Sequence, residues 1–202
     1  MKKQFKLVRM GVMYRLAQLG TTKGRSITLQ FLLSLDQLPG SGWSIERDVF
    51  LRAGVIRPIS KQESRARKVG SVWAIRSFFS VSTSRWLVTR LLPLASENDV
   101  LPWIAAWQDR LTNRDSMFYL TESTMVTGVQ LPEFGVTHGV ESVLAPIKSH
   151  PSRVVKEVAG HVGNVVFVMR CMSLSDEWSW DDVLSLASLQ GTRILNEVNK
   201  AH

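Results

Sequence analysis

Four histidines, one cysteine and a serine between two glycines are the residues of this 202-residue chain that could carry chemistry. His138, His150, His161 and His202 are scattered, with no HExxH or His-x-His spacing, so a metal ion would have to be gathered wholly by the fold. His138, flanked by Thr137 and Gly139 with Glu133 nearby, is the one histidine placed to act as an acid or base, although a loop histidine is expected to be structural. Cys171 stands alone, which excludes an intramolecular disulfide and any cysteine-based zinc or iron–sulfur site. Its neighbours Val168, Met169 and Met172 mark it as a small core residue rather than an activated thiol. Pro39-Gly40-Ser41-Gly42 has the glycines of a phosphate loop but lacks the following Lys-Ser/Thr and runs into a strand pattern instead of a helix. Neither GxSxG nor GxGxxG occurs. The expectation is a protein without a catalytic motif, cofactor or metal.

Charge is the other chemical signal: 25 Lys+Arg against 17 Asp+Glu gives a net +8 and a pI near 10.1. Lys2, Lys3, Lys6, Arg9, Arg15, Lys23 and Arg25 supply seven of these positive charges within the first 25 residues, where there is no acid. Arg9 and Arg15 interrupt the apolar run that a signal peptide needs, and no small-residue cleavage site follows, so secretion is not supported. Wound as a helix, the segment puts Phe5, Val8, Val12, Leu16 and Leu19 on one face. Residues 1–25 therefore read as a basic amphipathic segment, with Lys2, Lys3, Lys6, Arg9 and Arg15 as candidate contacts to an anionic membrane surface. The expected location is cytoplasmic or peripheral at the inner membrane face.

Beyond that segment, basic residues concentrate in the first half of the chain and acidic ones in the second, so the two halves could complement each other. A rival use of the positive charge is nucleic-acid binding. Arg65, Arg67, Lys68, Arg76, Arg85 and Arg90 would contact phosphates, with Trp73, Phe78 and Trp86 interleaved for stacking.

The elements that must position these residues follow from periodicity. An apolar run from Ile27 to Leu35 ends in the loop 36–42, and Trp43 to Val49 alternates as a half-buried strand. Lys61 to Lys68 is polar and basic, helical or looped. Ser71–Phe79 and Arg85–Leu92 form a hairpin, with Trp73, Ile75 and Phe79 on one face of the first strand and Val72, Ala74, Arg76 and Phe78 on the other. A central helix over about 97–111 carries the stripe Leu101, Ile104, Trp107 and Leu111. Strands follow within Met117–Val129 and Val136–Ile147, and Val154–Val158 and Val165–Met169 make a hairpin around Ala159–Asn164. Ser179 caps a closing helix over about 180–199, on whose buried stripe Gly191 marks a close helix–sheet approach. The fold class is α+β: a single domain over 26–202, with an antiparallel sheet of hairpins covered by an N-terminal, a central and a C-terminal helix.

Three strings in this order carry a resemblance. They are Asp36-Gln37-Leu38-Pro39-Gly40-Ser41-Gly42-Trp43, Gly163-Asn164-Val165-Val166-Phe167-Val168 and Leu186-Ala187-Ser188-Leu189-Gln190-Gly191-Thr192-Arg193-Ile194. Over roughly residues 31–200 the chain resembles actinobacterial sensor-type and small lipoprotein domains. These are similar to the extracytoplasmic sensor domains of bacterial serine/threonine kinases and, more distantly, to PsbP/Mog1-like α/β/α sandwiches. The resemblance implies a non-enzymatic binding or interaction module whose partner is an unidentified protein or a small apolar ligand, and it transfers no catalytic residue.

Overall fold

The computed structural model describes residues 31–52, 60–68, 71–112, 120–144 and 151–200. Its elements, in chain order, are β1 (Trp43–Arg52), α1 (Lys61–Lys68), β2 (Val72–Ser80), β3 (Arg85–Pro93), α2 (Val100–Thr112), β4 (Leu120–Val126), β5 (Gly139–Leu144), β6 (Arg153–Val162), β7 (Val165–Ser173) and α3 (Trp180–Lys200). A 3-10 turn, Glu97–Asp99, leads directly into α2, so the central helix spans nearly the expected range. The expected N-terminal helix lies outside the described residues.

Among the described residues seven strands join one sheet in the order β1-β2-β3-β7-β6-β5-β4, and every pairing is antiparallel. It consists of two meanders, one of three strands and one of four, that meet where β3 runs antiparallel to β7. α2 lies in the connection between the meanders, which carries the chain from the inner strand β3 to the far edge strand β4.

Alternation along the strands gives the sheet two apolar faces. On one, Val158, Phe167, Met169 and Cys171 pack against Val183, Leu186, Ala187 and Ile194 of α3. On the other, Leu92, Val140, Ala159, Val166 and Val168 pack against Trp103, Ile104, Trp107 and Leu111 of α2, and Ala66 of α1 joins them. α3 lies over β6 and β7. Near β2 and β3 its face is completed by the segment Phe31–Leu38, whose Phe31, Leu32, Leu33 and Leu38 are buried in the same cluster as Ala74, Phe78, Leu87 and Leu91. Burying each such side chain stabilises by about 1.5–3 kcal/mol, so this strap is a substantial part of the core.

Two local devices differ from the sequence pattern. In β1 the register shifts between Ile45 and Arg47, so Glu46 forms a bulge. The bulge reverses which residues face which way, and Asp48 comes to lie opposite Arg76 while Phe50 joins Trp43 beside the α3-side core. The β6–β7 hairpin is longer than its glycines suggest. Ala159, Gly160, His161 and Val162 continue β6, and the connection is the two-residue turn Gly163-Asn164, with Gly163 at φ +54°. Gly160 sits in the strand because a Cβ there would meet Phe167 Cζ at 2.5 Å and the main-chain oxygen of Phe134 at 2.7 Å.

At the start of α3, Ser179 and Asp182 form a reciprocal cap. The Asp182 N–H donates to Ser179 Oγ (3.0 Å) and the Ser179 N–H donates to Asp182 Oδ2 (3.2 Å). Gly191 of this helix does mark a close approach, but to the Phe134 ring on the 3-10 turn Pro132–Phe134, where a Cβ would come within 2.6 Å.

Candidate functional site

The chemistry-bearing side chains gather at two places on the sheet. The first lies on the face that α2 covers. Register places Phe79 of β2 beside Trp86 of β3, and the rings stack with centroids 4.7 Å apart. The Arg153 guanidinium of β6 reaches across β7 to lie 4.0 Å from the Trp86 ring centroid. All three side chains are half-buried.

Further along the same face, the two-residue turn sets Glu157 opposite Arg170, and both are buried. Arg170 donates from Nε to Glu157 Oε2 at 2.8 Å, with Nη2 also 2.8 Å from that oxygen. Glu157 Oε1 accepts no hydrogen bond among the described residues. Arg90 is diagonal to Arg170, since β3 and β7 pair Arg90 with Val168 and Val88 with Arg170. Burial, and then the neighbouring Arg170 charge, pull the Arg90 guanidinium down to about 10, while Glu157 acts in the opposite direction.

The second place is the other face of the sheet, at the loop that enters α3. Lys156 is buried, donates to Asp176 and to the Trp178 main-chain oxygen (2.5 Å), and has Glu141 at 3.8 Å. Its ammonium is 5.7 Å from the Trp180 ring, which packs over Gly139, where a Cβ would meet the ring at 2.5 Å. Nearby, Arg85 lies 4.9 Å from the Trp178 ring and donates from Nη2 to the Glu177 main-chain oxygen at 2.6 Å. The Trp43 ring lies 6.0 Å from that of Trp178. Each cation here has a carboxylate or carbonyl partner, so the junction ties α3 to the sheet.

The six residues considered for nucleic-acid contact are divided between the faces. Arg65 of α1 pairs with the buried Asp99 at 2.6 Å. Lys68 is exposed at the end of α1, and the side chain of Arg67 lies outside the described residues. Arg76 and Arg85 are on the α3 side, held by Asp48 (2.7 Å) and Glu177 (3.5 Å), whereas Arg90 is on the opposite face. Of the interleaved aromatics, Phe78 is buried in the α3-side core and Trp73 packs against Trp103, leaving Trp86 as the half-buried one with a stacked ring and a cation. Lys2, Lys3, Lys6, Arg9 and Arg15 lie outside the described residues.

His138 is half-buried, with Nδ1 3.0 Å from Thr137 Oγ1, and His161 is half-buried at the end of β6 with Nδ1 3.3 Å from the Gly163 oxygen. His150 and His202 lie outside the described residues. Cys171 is wholly buried, and desolvation drives its thiol well above the ordinary range. Among the described residues, no three His, Cys, Asp or Glu side chains are grouped to hold a metal, and no helix is long and apolar enough to cross a membrane.

Glu157, Arg170, Arg153 and Gln190 did not emerge as site candidates from the sequence. The signal for the first pair was present: an acid and a base each interrupt an apolar strand run, and a turn at Gly163-Asn164 sets them opposite each other.

Compared by sequence, the chain matches no protein-family profile and no curated protein. Compared by structure, it is similar to the extracellular domain of PknH from Mycobacterium tuberculosis. The TM-score is 0.50 at 10% identity, covering 84% of this chain and 93% of that one. That likeness is one of fold. It supports the resemblance as far as the α+β fold, and no match bears specifically on a PsbP/Mog1-like relationship.

Proposed function

We propose that the chain is a non-catalytic binding module. Its contact surface for a partner is the Arg153–Trp86–Phe79 stack, and its basic N-terminal segment holds it at an anionic membrane surface on the inner face. The observation that carries the reading is the stack itself, a tryptophan held half-buried between a ring and a guanidinium. Such a side chain offers area to a partner with little rotamer freedom left to lose. The fold likeness to an extracellular domain supports a binding role. The structural pairing of Arg65, Arg76 and Arg85 supports it over phosphate binding, because those guanidiniums would have to leave carboxylates to reach a nucleic acid.

The membrane part is tested by co-sedimentation of the full chain with vesicles containing phosphatidylglycerol. Binding that disappears when Lys2, Lys3, Lys6, Arg9 and Arg15 are changed to Glu supports it, and partitioning unchanged by those substitutions overturns it. The same full chain titrated with DNA and RNA at two salt concentrations decides the rival use. Affinity that falls steeply with salt, and falls further in Arg153→Ala, would replace the present reading with a nucleic-acid one.

A further inference from the structure

Gln190 is wholly buried in the middle of α3, yet its amide is hydrogen-bonded through both its nitrogen and its oxygen. Nε2 donates to the Phe31 main-chain oxygen at 2.6 Å, while Oε1 accepts from the Leu33 N–H at 3.2 Å and from Thr89 Oγ1 at 3.0 Å. From β2, Arg76 Nη1 donates to the Leu33 oxygen at 2.9 Å. The seat thus reads the main chain of the strap on both sides of Leu32, while Phe31, Leu32 and Leu33 fill the apolar space beneath. Arg193 adds selectivity for the second half of the strap, reaching Ser34 Oγ at 3.0 Å and Gln37 Oε1 at 2.5 Å around the strap's own 3-10 turn.

Between this turn and β1 lies the exposed tetrapeptide Pro39-Gly40-Ser41-Gly42, with Gly40 at φ +78° and Gly42 at φ +79°. Its glycines let the backbone change course there, and the hydrogen bonds that hold it are peripheral ones, from Trp43 Nε1 to the Pro39 oxygen (2.8 Å) and from Ser82 Oγ to the Ser41 oxygen (3.4 Å). Were the strap to leave, Gln190 would keep one of its three partners, and Arg76 and Arg193 would lose their acceptors on the strap, a state relieved by any segment that restores those bonds.

We propose that the seat is exchangeable: residues Phe31–Leu38 of a second copy of this chain occupy it in trans, with Pro39–Gly42 as the hinge, to give a strap-swapped dimer. A second copy is the occupant because the seat demands both features of this segment. These are an apolar triplet read through its main chain, and a Ser-x-x-Gln turn that meets Arg193. In dilute solution the tether favours the strap of the same molecule, since its effective concentration is on the order of millimolar. Exchange therefore grows with protein concentration.

Complementation between two full-length variants tests this. Gln190→Leu combined with Arg193→Ala has a damaged seat and an intact strap, whereas Leu33→Asp has a damaged strap and an intact seat. Each alone is expected to sediment as a monomer, and their equimolar mixture as a heterodimer. A mixture that sediments as two independent monomers, with both variants showing the circular dichroism of the folded sheet, overturns the proposal. Should Leu33→Asp fold poorly, a capped synthetic peptide of residues 31–38 added to it is expected to raise its Tm. Adding Gln190→Leu to that variant should weaken the peptide by about tenfold or more. No rise in Tm at saturating peptide overturns the proposal equally.

Discussion

Arg170 and Glu157 face each other across the β6–β7 ladder, with Nε and Nη2 of the guanidinium both 2.8 Å from one carboxylate oxygen, Oε2. At 1% exposure Glu157 has no access to bulk water, so the pair has lost most of its hydration. Arg170→Met should therefore destabilise the protein by about 3–5 kcal/mol, because it removes the guanidinium hydrogen-bonded to a buried carboxylate and leaves it only the charge of Arg90 nearby. The double variant Glu157→Leu/Arg170→Met should lose much less. Urea denaturation of the two variants checks this, and equal losses would show that the charge pairing is not what matters.

Gly191→Ala sets two effects of opposite sign against each other. Helix propensity favours alanine by about 1 kcal/mol, but the new Cβ would stand 2.6 Å from the Phe134 ring. Overpacking of this kind costs about 1–3 kcal/mol, so the variant is expected to be less stable by denaturant midpoint. Combining it with Phe134→Leu should recover part of the loss, since the opposing ring is then gone.

Cys171 should resist alkylation by iodoacetamide at neutral pH in the folded protein and react on unfolding in urea. Its thiol is raised by desolvation first, and by the Asp182 and Glu157 charges next. The raised value fixes the sign of the pH dependence. Below the ordinary thiol value of 9.0 the folded and unfolded chains are both protonated there; above it only the unfolded chain ionises, so this group makes stability fall as pH rises past 9.0. Urea midpoints of Cys171→Ala and the parent on the two sides of that pH measure the difference.

Arg76 holds three pieces of the fold together. Nε and Nη2 take the two oxygens of Asp48 at 2.7 and 3.0 Å, and Nη1 takes the Leu33 oxygen at 2.9 Å. Arg76→Ala is expected to lose about 1.5–3 kcal/mol by denaturant titration. Asp48→Asn should lose less, because Asp48 is partly solvated and the bond to the strap survives.

Regular periodicity made much of the sheet legible. The faces of β2 follow from alternation, and the capping residues at Ser179 and Asp182 mark the start of α3 where it is found. What escaped was irregular or non-local. No pattern within β1 announces a bulge at Glu46, so the alternation of Trp43–Val49 puts Asp48 on the wrong face. Gly160 looks like part of a turn because its reason, the approach of Phe167 and Phe134, comes from elsewhere in the chain. The strap was visible only as an apolar run, since its seat is made by Gln190 and Arg193, some 160 residues away. Arg85 and Arg90 shared one strand and hence one expected surface, yet their odd spacing sends them to opposite faces.

The seam between β3 and β7 has a bearing on how the chain is made. β1, β2 and β3 are neighbours in sequence and can pair as soon as they leave the ribosome, but Pro93 meets its partner only when Val165 has been synthesised. At ordinary translation rates that interval is on the order of several seconds. Throughout it a meander that has already paired would present β3 as an open, leucine-bearing edge, the kind of edge that invites pairing with another chain.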